Sequence, residues 1–266
     1  MSDWVPINEN HAISVMTAFV QFAQPLPELA FRKALKGLDS AAAELGLNDI
    51  KPTSGMQISI SPDGSPMPTP VVLGRMFSRN AEDVEDGAAI RVVEQLQFEP
   101  QRAIYRTWDY ISWDWHRPRI QALLKSTLTA VDGVVGFGIV GMEYVDRFSS
   151  SGDGHGANLE DLLRTDSDLI APHIFHTNQL FHSHSGSFVN DDPERLQLQN
   201  VKIEASDEAD CRWVNIVTRQ EIRYAASLDE NPDAMLVLDQ AHSDLKDMLA
   251  RIITPKQAHR IYLKGS

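Results

Sequence analysis

Cysteine is nearly missing: Cys211 is the one thiol in 266 residues. A lone thiol excludes an internal disulfide and a cysteine-rich zinc site, so a reducing compartment is expected and the fold must rest on its core. Basic residues are also scarce, with 24 Lys+Arg against 37 Asp+Glu and a net charge of −13. Binding to a phosphate backbone draws on counterions released by Lys and Arg, so no nucleic-acid partner is expected. The densest basic stretch, His116-Arg117-Pro118-Arg119, is short. Anionic membrane surfaces are disfavoured for the same reason.

Long apolar runs are lacking too. The stretch Val131–Val145 is interrupted by four glycines and Glu143, short of the roughly 18–20 apolar residues that a spanning helix requires. The first residues show no basic segment followed by an apolar one, so no secretory leader is expected, and the reading is cytoplasmic. Fixed catalytic signatures are absent: no G-x-x-x-x-G-K-[ST], no G-x-S-x-G and no H-E-x-x-H. Gly152-Asp153-Gly154-His155-Gly156 lacks the spacing of a dinucleotide loop. Ser183 and Ser185 beside histidines do not make a triad, which is defined by spatial roles.

What is present is the composition of a globular chain, 42% hydrophobic and 23% charged, long enough to bury its own core. Ala12–Phe22 reads as a buried strand. Pro25 and Pro27 open a helix whose stripe is Phe31, Leu35, Leu38, Ala42 and Leu45, stopped at Gly46. Met56–Ile60 alternates as a strand, and the proline-rich Ser61–Pro70 is expected as an exposed loop. Strands follow at Val71–Ser78, Ala88–Phe98 and Gln101–Thr107, with a hairpin tip at Glu99-Pro100. A second helix is expected from Pro118 to Val131, then a glycine-broken strand over Val134–Phe148. Further strands are expected at Gln179–Ser187, Leu196–Glu204 and Trp213–Tyr224. A helix then faces Leu238, Ala241, Leu245, Met248 and Ile252 inward, and a capping box at Thr254-Pro255-Lys256-Gln257 starts a last short helix. The order implies an α+β fold, antiparallel sheets packed against helices. Two similar β-α-β-β-β halves, 1–132 and 133–266, are expected, joined into one compact unit. The acidic runs Glu82–Asp86 and Glu204–Asp210 read as solvated faces.

Three places carry a resemblance. They are the opening strand leading into a Pro-flanked helix; the stretch Tyr105–Phe148, with Val135-Gly136-Phe137 leading to Tyr144-Val145-Asp146-Arg147-Phe148; and Leu238-Asp239-Gln240-Ala241-His242 followed by Ile252-Ile253-Thr254-Pro255. This arrangement resembles a sporadically distributed prokaryotic family of uncharacterised proteins, over nearly the whole chain. In that family the middle strand usually reads R-I-G-L-R-Y-I-N-R-I, so Asp146 stands here in place of the usual Asn, and Gly141-Met142-Glu143 replaces the usual basic residue before Tyr. The resemblance implies a fold and no catalytic residue.

Among chemical groups, His173, His176, His182 and His184 stand out. His182 and His184, two apart on a strand, leave one face, and neutral imidazoles on one face can bind a divalent metal, with His173-x-x-His176 completing the set. The competing reading, surface or hydrogen-bonded histidines, is favoured because no fixed-spacing signature accompanies them. His242 on the last helix is read as a structural bridge to the sheet or to the strand of Tyr144, with Asp239 able to hold its ring. Tyr105–Trp115 holds five aromatics, Trp113 and Trp115 among them; ordinary packing is favoured over a partner-contact platform. Tyr144, Asp146, His242, Trp113 and Trp115 are therefore the candidate structural or ligand contacts. The function expected is non-catalytic binding of a protein partner or small molecule, within a sporadically inherited stress or defence system. No cofactor is expected, and self-association into a homo-oligomer is left open. The alternative is a metal-dependent enzyme built on the four histidines.

Overall fold

The computed structural model describes residues 3–61, 65–81, 91–131, 133–151, 158–176, 180–190, 192–208, 211–225 and 232–263. The acidic run Glu82–Asp86, the segment Gly152–Gly156 and the start of the strand expected from Ala88 lie outside them. In chain order the elements are β1 (Trp4–Pro6), β2 (Ile13–Phe22), α1 (Glu28–Glu44), β3 (Asp49–Ile60), β4 (Pro66–Asn80), β5 (Val92–Glu99), β6 (Arg102–Thr107), α2 (Trp113–Val131), β7 (Phe137–Ser151), β8 (His182–Phe188), β9 (Arg195–Glu208), β10 (Cys211–Tyr224), α3 (Ala234–Ile252) and α4 (Pro255–Arg260). This is an α+β protein with antiparallel strand pairing. The chain forms two compact units: Phe19–Gly138 with Ala226–Asn231, and Met1–Ala18 with Ile139–Ala225 and Pro232–Ser266. One cut falls near the expected Gly133 boundary. The first 18 residues, expected in the N-terminal half, cluster with the C-terminal one.

In the first unit β3, β4, β5 and β6 pair in sequence order. Helix α1 buries Ala30, Ala34, Leu38 and Ala42, while Phe31, Leu35 and Leu45 are half-buried. Packing against α2 sets this rotation. A Cβ on Gly37 would come within 3.3 Å of Ser126 Cβ, so the two helices approach over small residues and the large ones flank the seam. Gly46, at φ +78°, ends α1 in the left-handed conformation, and the Leu47 N–H donates to Ala42 O at 2.9 Å. Helix α2 begins at Trp113, five residues before the expected start, because the Ser112 hydroxyl accepts from the Trp115 N–H at 3.2 Å. Pro118 then sits inside the helix and removes one early backbone bond.

In the expected loop at Ser61–Pro70, the second half, Pro66–Pro70, is strand. Ile60 stands opposite Pro66, Ile58 opposite Pro68 and Met56 opposite Pro70. Beyond Arg75, β4 pairs with β3 alone in this direction. Three prolines at alternate positions place all three missing N–H groups on the unpaired edge, where a strand tolerates them.

In the second unit the order is β7-β10-β9-β8, with β1 on β7. Strand β10 pairs with β7 from Cys211↔Ser151 to Arg223↔Ile139, and with β9 from Cys211↔Glu208 to Tyr224↔Arg195. The helix expected after the first strand of this half is represented by two short 3-10 turns, Leu159–Asp161 and Pro172–His176. Asp166, Ser167, Asp168 and Pro172 break the segment before a costly helix nucleus can propagate. Helix α3 buries the expected Leu238, Ala241, Leu245, Met248 and Ile252. Asp233 caps it by accepting from the Met235 and Leu236 N–H groups. At α4 the Thr254 hydroxyl accepts from the Gln257 N–H, while Gln257 Nε2 donates to Trp4 O at 3.3 Å.

Candidate functional site

Strand β10 alternates buried and half-buried positions over most of its length. Its even positions pack with even positions of β7 under α3; its odd positions form a face with odd positions of β7 and even positions of β9 and β8. Each face carries a polar group of its own.

On the covered face, Tyr144 stands opposite Thr218 and Asp146 opposite Ile216. Tyr144 Oη lies 2.7 Å from His242 Nδ1, so the helix is tied to the strand as expected for His242. Two residues further on, Asp244 Oδ2 accepts from Gln220 Nε2 at 2.8 Å and from Gln197 Nε2 at 3.1 Å, and Oδ1 accepts from Gln240 Nε2 at 2.7 Å. Burial raises the Asp244 carboxyl above its ordinary value against the pull of Gln240 and Gln197. Asp146 is 1% exposed. Among the described residues its Oδ1 has no hydrogen-bond partner, nor do Thr218 Oγ1 and Gln220 Oε1 nearby on the same face. Burial alone pushes the Asp146 carboxyl up to about 7. A neutral Asn would fit such a place without that penalty.

The other face of the sheet holds a cleft of about 370 Å³, with Ile139 and Val217 among its apolar lining and Glu143, His184, Asn200, Lys202, Arg219, Glu221 and Arg223 as its polar groups. Glu221 organises it. Although on the less covered face, Glu221 is 1% exposed; it stands opposite Gly141, which puts no side chain in its way. Its Oε2 accepts from Arg219 Nε at 2.9 Å and Nη2 at 2.6 Å, and its Oε1 from Arg223 Nε at 2.7 Å. Arg219 also lies 3.7 Å from Glu143, and Lys202 pairs with Glu204 at 2.6 Å. One buried carboxylate thus fixes two half-exposed guanidinium planes in the mouth of a cleft.

The first unit carries a buried network of a different kind. Glu94 sits on β5 at the parity of Leu96 and Phe98, fully buried. It accepts from Arg79 Nε at 2.9 Å, Arg119 Nε at 2.8 Å, Arg119 Nη2 at 2.7 Å and the Tyr105 hydroxyl at 2.7 Å. Tyr105 Oη lies 2.8 Å from His116 Nδ1. Burial alone would raise the Glu94 carboxyl, but Arg119, Tyr105 and Arg79 together hold it below its ordinary value. Burial, then the charge of Glu94, pushes the Tyr105 phenol strongly up. Burial pushes His116 down to about 4 against the opposing charge of Glu94. Trp113 is buried at the start of α2, and Trp115 packs between the His116 ring and the Arg119 guanidinium, 4.6 Å from its centroid. Both tryptophans therefore pack within this unit, and Trp115 makes one wall of the network.

The four histidines do not form one site. His182 and His184 leave the same face of β8; His182 Nδ1 lies 3.6 Å from Glu204 Oε2, and His184 lines the cleft. His173 and His176 sit on the second 3-10 turn. Among the described residues no three His, Cys, Asp or Glu side chains gather where a metal ion could be held. Two functional-looking groups escaped the sequence reading although each left a trace. Glu94 interrupts Leu and Phe at core parity, and a charge in that position requires partners. Arg219-x-Glu221-x-Arg223 alternates sign along one strand face.

No family model and no curated protein matches the chain. Among solved structures, the di-domain ARO/CYC StfQ from the steffimycin biosynthetic pathway aligns over 89% of this chain and 95% of its own, at 10% identity and a TM-score of 0.17. A likeness at that score carries no argument about fold or function. No helix among the described residues is long and apolar enough to cross a membrane.

Proposed function

We propose that the protein is a non-catalytic binding protein of the cytoplasm, and that the cleft over Glu221 holds its ligand. The observation that supports this is the pair of guanidinium groups held by one buried carboxylate. Exposed ion pairs contribute about 0–1 kcal/mol each, and burying a carboxylate costs more than such pairs return. A stability role therefore accounts poorly for the arrangement. Preorganised guanidinium planes beside an apolar lining suit an acidic group attached to an apolar body, presented by a protein partner or a small molecule. The resemblance to a sporadically distributed prokaryotic family, and with it a place in a stress or defence system, belongs to this proposal.

The test is affinity capture from native cells, followed by native mass spectrometry, with wild type and an Arg219→Ala, Arg223→Ala double variant. A protein or small molecule retained by wild type and lost from the variant is the expected result. Equal retention by both would end the proposal. A stoichiometric transition metal in purified protein, lost on His182→Ala, would favour the metal-dependent enzyme instead.

A further inference from the structure

The β3–β4 ribbon of the first unit has an apolar face that none of the described residues covers. Met56, Ile58 and Ile60 on β3 share that face with Pro66, Pro68 and Val72 on β4. Met56 is 65% exposed, Ile58 70%, Ile60 79% and Val72 71%. The face continues the core side of the sheet: past the register shift at Thr53/Ser54, Arg75, which pairs with Asp39 of α1, and Phe77, fully buried, stand opposite Pro52 and Ile50 at the parity of Met56 and Ile58 on β3. The strands simply outrun the helix that covers them. At the root of the ribbon a cleft of about 420 Å³ opens between α1 and β4, with Phe31, Leu35 and Val72 in its lining.

We propose that this face packs against the same face of a second copy of the chain, forming a twofold dimer. Four observations favour that occupant. A two-stranded ribbon is marginal by itself in water and needs an apolar face covered. At roughly 100 Å² or more per exposed side chain, six side chains offer about 600–800 Å² per copy, close to the ≈ 800 Å² per partner of a stable interface. From Pro52 to Gly74 the sequence contains one charged residue, Asp63, in a chain of net charge −13. This is therefore a surface on which two strongly acidic copies can meet without repulsion, whereas an anionic membrane would repel the chain as a whole. The alternate prolines of β4 remove the donors that strand addition at its own free edge would use, so that edge does not compete with face-to-face stacking. A self-complementary patch then closes on a twofold axis.

The experiment is sedimentation equilibrium on the full chain from about 1 to 100 µM. It compares wild type, Ile58→Asp, Ile58→Asn, and a control, Leu236→Asp, on an exposed position of α3. Wild type and the control are expected at twice 29.7 kDa, and both Ile58 variants at the single mass, with dissociation constants raised at least 100-fold. Ile58 is exposed, so melting of the Asn variant, read at a concentration where wild type is also dissociated, is expected to be unchanged. That separates loss of contact from loss of fold. Wild type at the single mass throughout, or a dimer that both Ile58 variants leave intact, overturns the proposal. In the first case the ribbon belongs to a different protein or to a lipid surface.

Discussion

Each unit buries a carboxyl group under its helices, and the two are treated in opposite ways. Glu94 in the first unit meets two guanidinium groups and a phenol, so it is charged, and the neighbouring His116 is kept neutral. Asp146 in the second unit has an oxygen with no partner among the described residues and is held near neutrality by burial alone. A buried ionised group is tolerated where partners replace its hydration; where they are missing, the group gives up its charge instead. The two units should therefore respond to pH with opposite sign.

The largest effect is expected from removing the partner-rich carboxylate. Glu94→Ala leaves Arg119 and Arg79 without their common acceptor and should cost about 3–5 kcal/mol in urea denaturation at pH 7. A loss below 1 kcal/mol would show that the network is an ornament of the core.

Asp146 comes next. Its folded value, about 7, lies above its ordinary 3.8, so the stability it permits is complete below about pH 4 and is lost as pH rises through 7. Asp146→Asn should then stabilise the protein by up to about 4 kcal/mol at pH 8 and by almost nothing at pH 4. A gain of the same size at both pH values would mean that packing, not ionisation, is responsible.

His116 moves the other way. Its folded value, about 4, lies below its ordinary 6.5, so its contribution is complete above pH 6.5 and is lost as pH falls through 4. Wild type should lose about 3 kcal/mol across that window, a loss missing from His116→Gln. Urea midpoints of both proteins at pH 7 and pH 4 give the comparison. The smallest effect is local: Asp233→Ala removes the α3 cap and should cost about 1 kcal/mol without changing either pH response.

Local patterns were legible where one signal dominated. The Leu238-to-Ile252 stripe, the Thr254-Pro255 start and the Gly46 stop each appear in the structure, because helix faces and caps depend on spacing and on one or two residue types. Reading failed where a local signal competed with a distant partner. Prolines 66, 68 and 70 looked like a loop because nothing local showed that one strand edge would be unpaired. In α1, Ala30 and Ala34 are buried while Phe31 and Leu35 are half-buried, with Phe31 stacking its ring on the core Phe98, because α2 approaches over small residues at Gly37. The four histidines, favoured in the sequence as surface or hydrogen-bonded groups, stand two on a strand and two on a 3-10 turn, an arrangement their spacing alone did not settle.

By itself, then, the sequence determined the α+β class, the parity of the strands and the inward face of α3, all of which follow from periodicity along single elements. Only the tertiary structure decided that Glu94 would find two arginines, that Asp146 Oδ1 would find no partner among the described residues and that Glu221 would hold Arg219 and Arg223 in a cleft. The reason is physical. A buried charge is stabilised by groups brought in from other strands and helices, and sequence spacing carries no record of those distances.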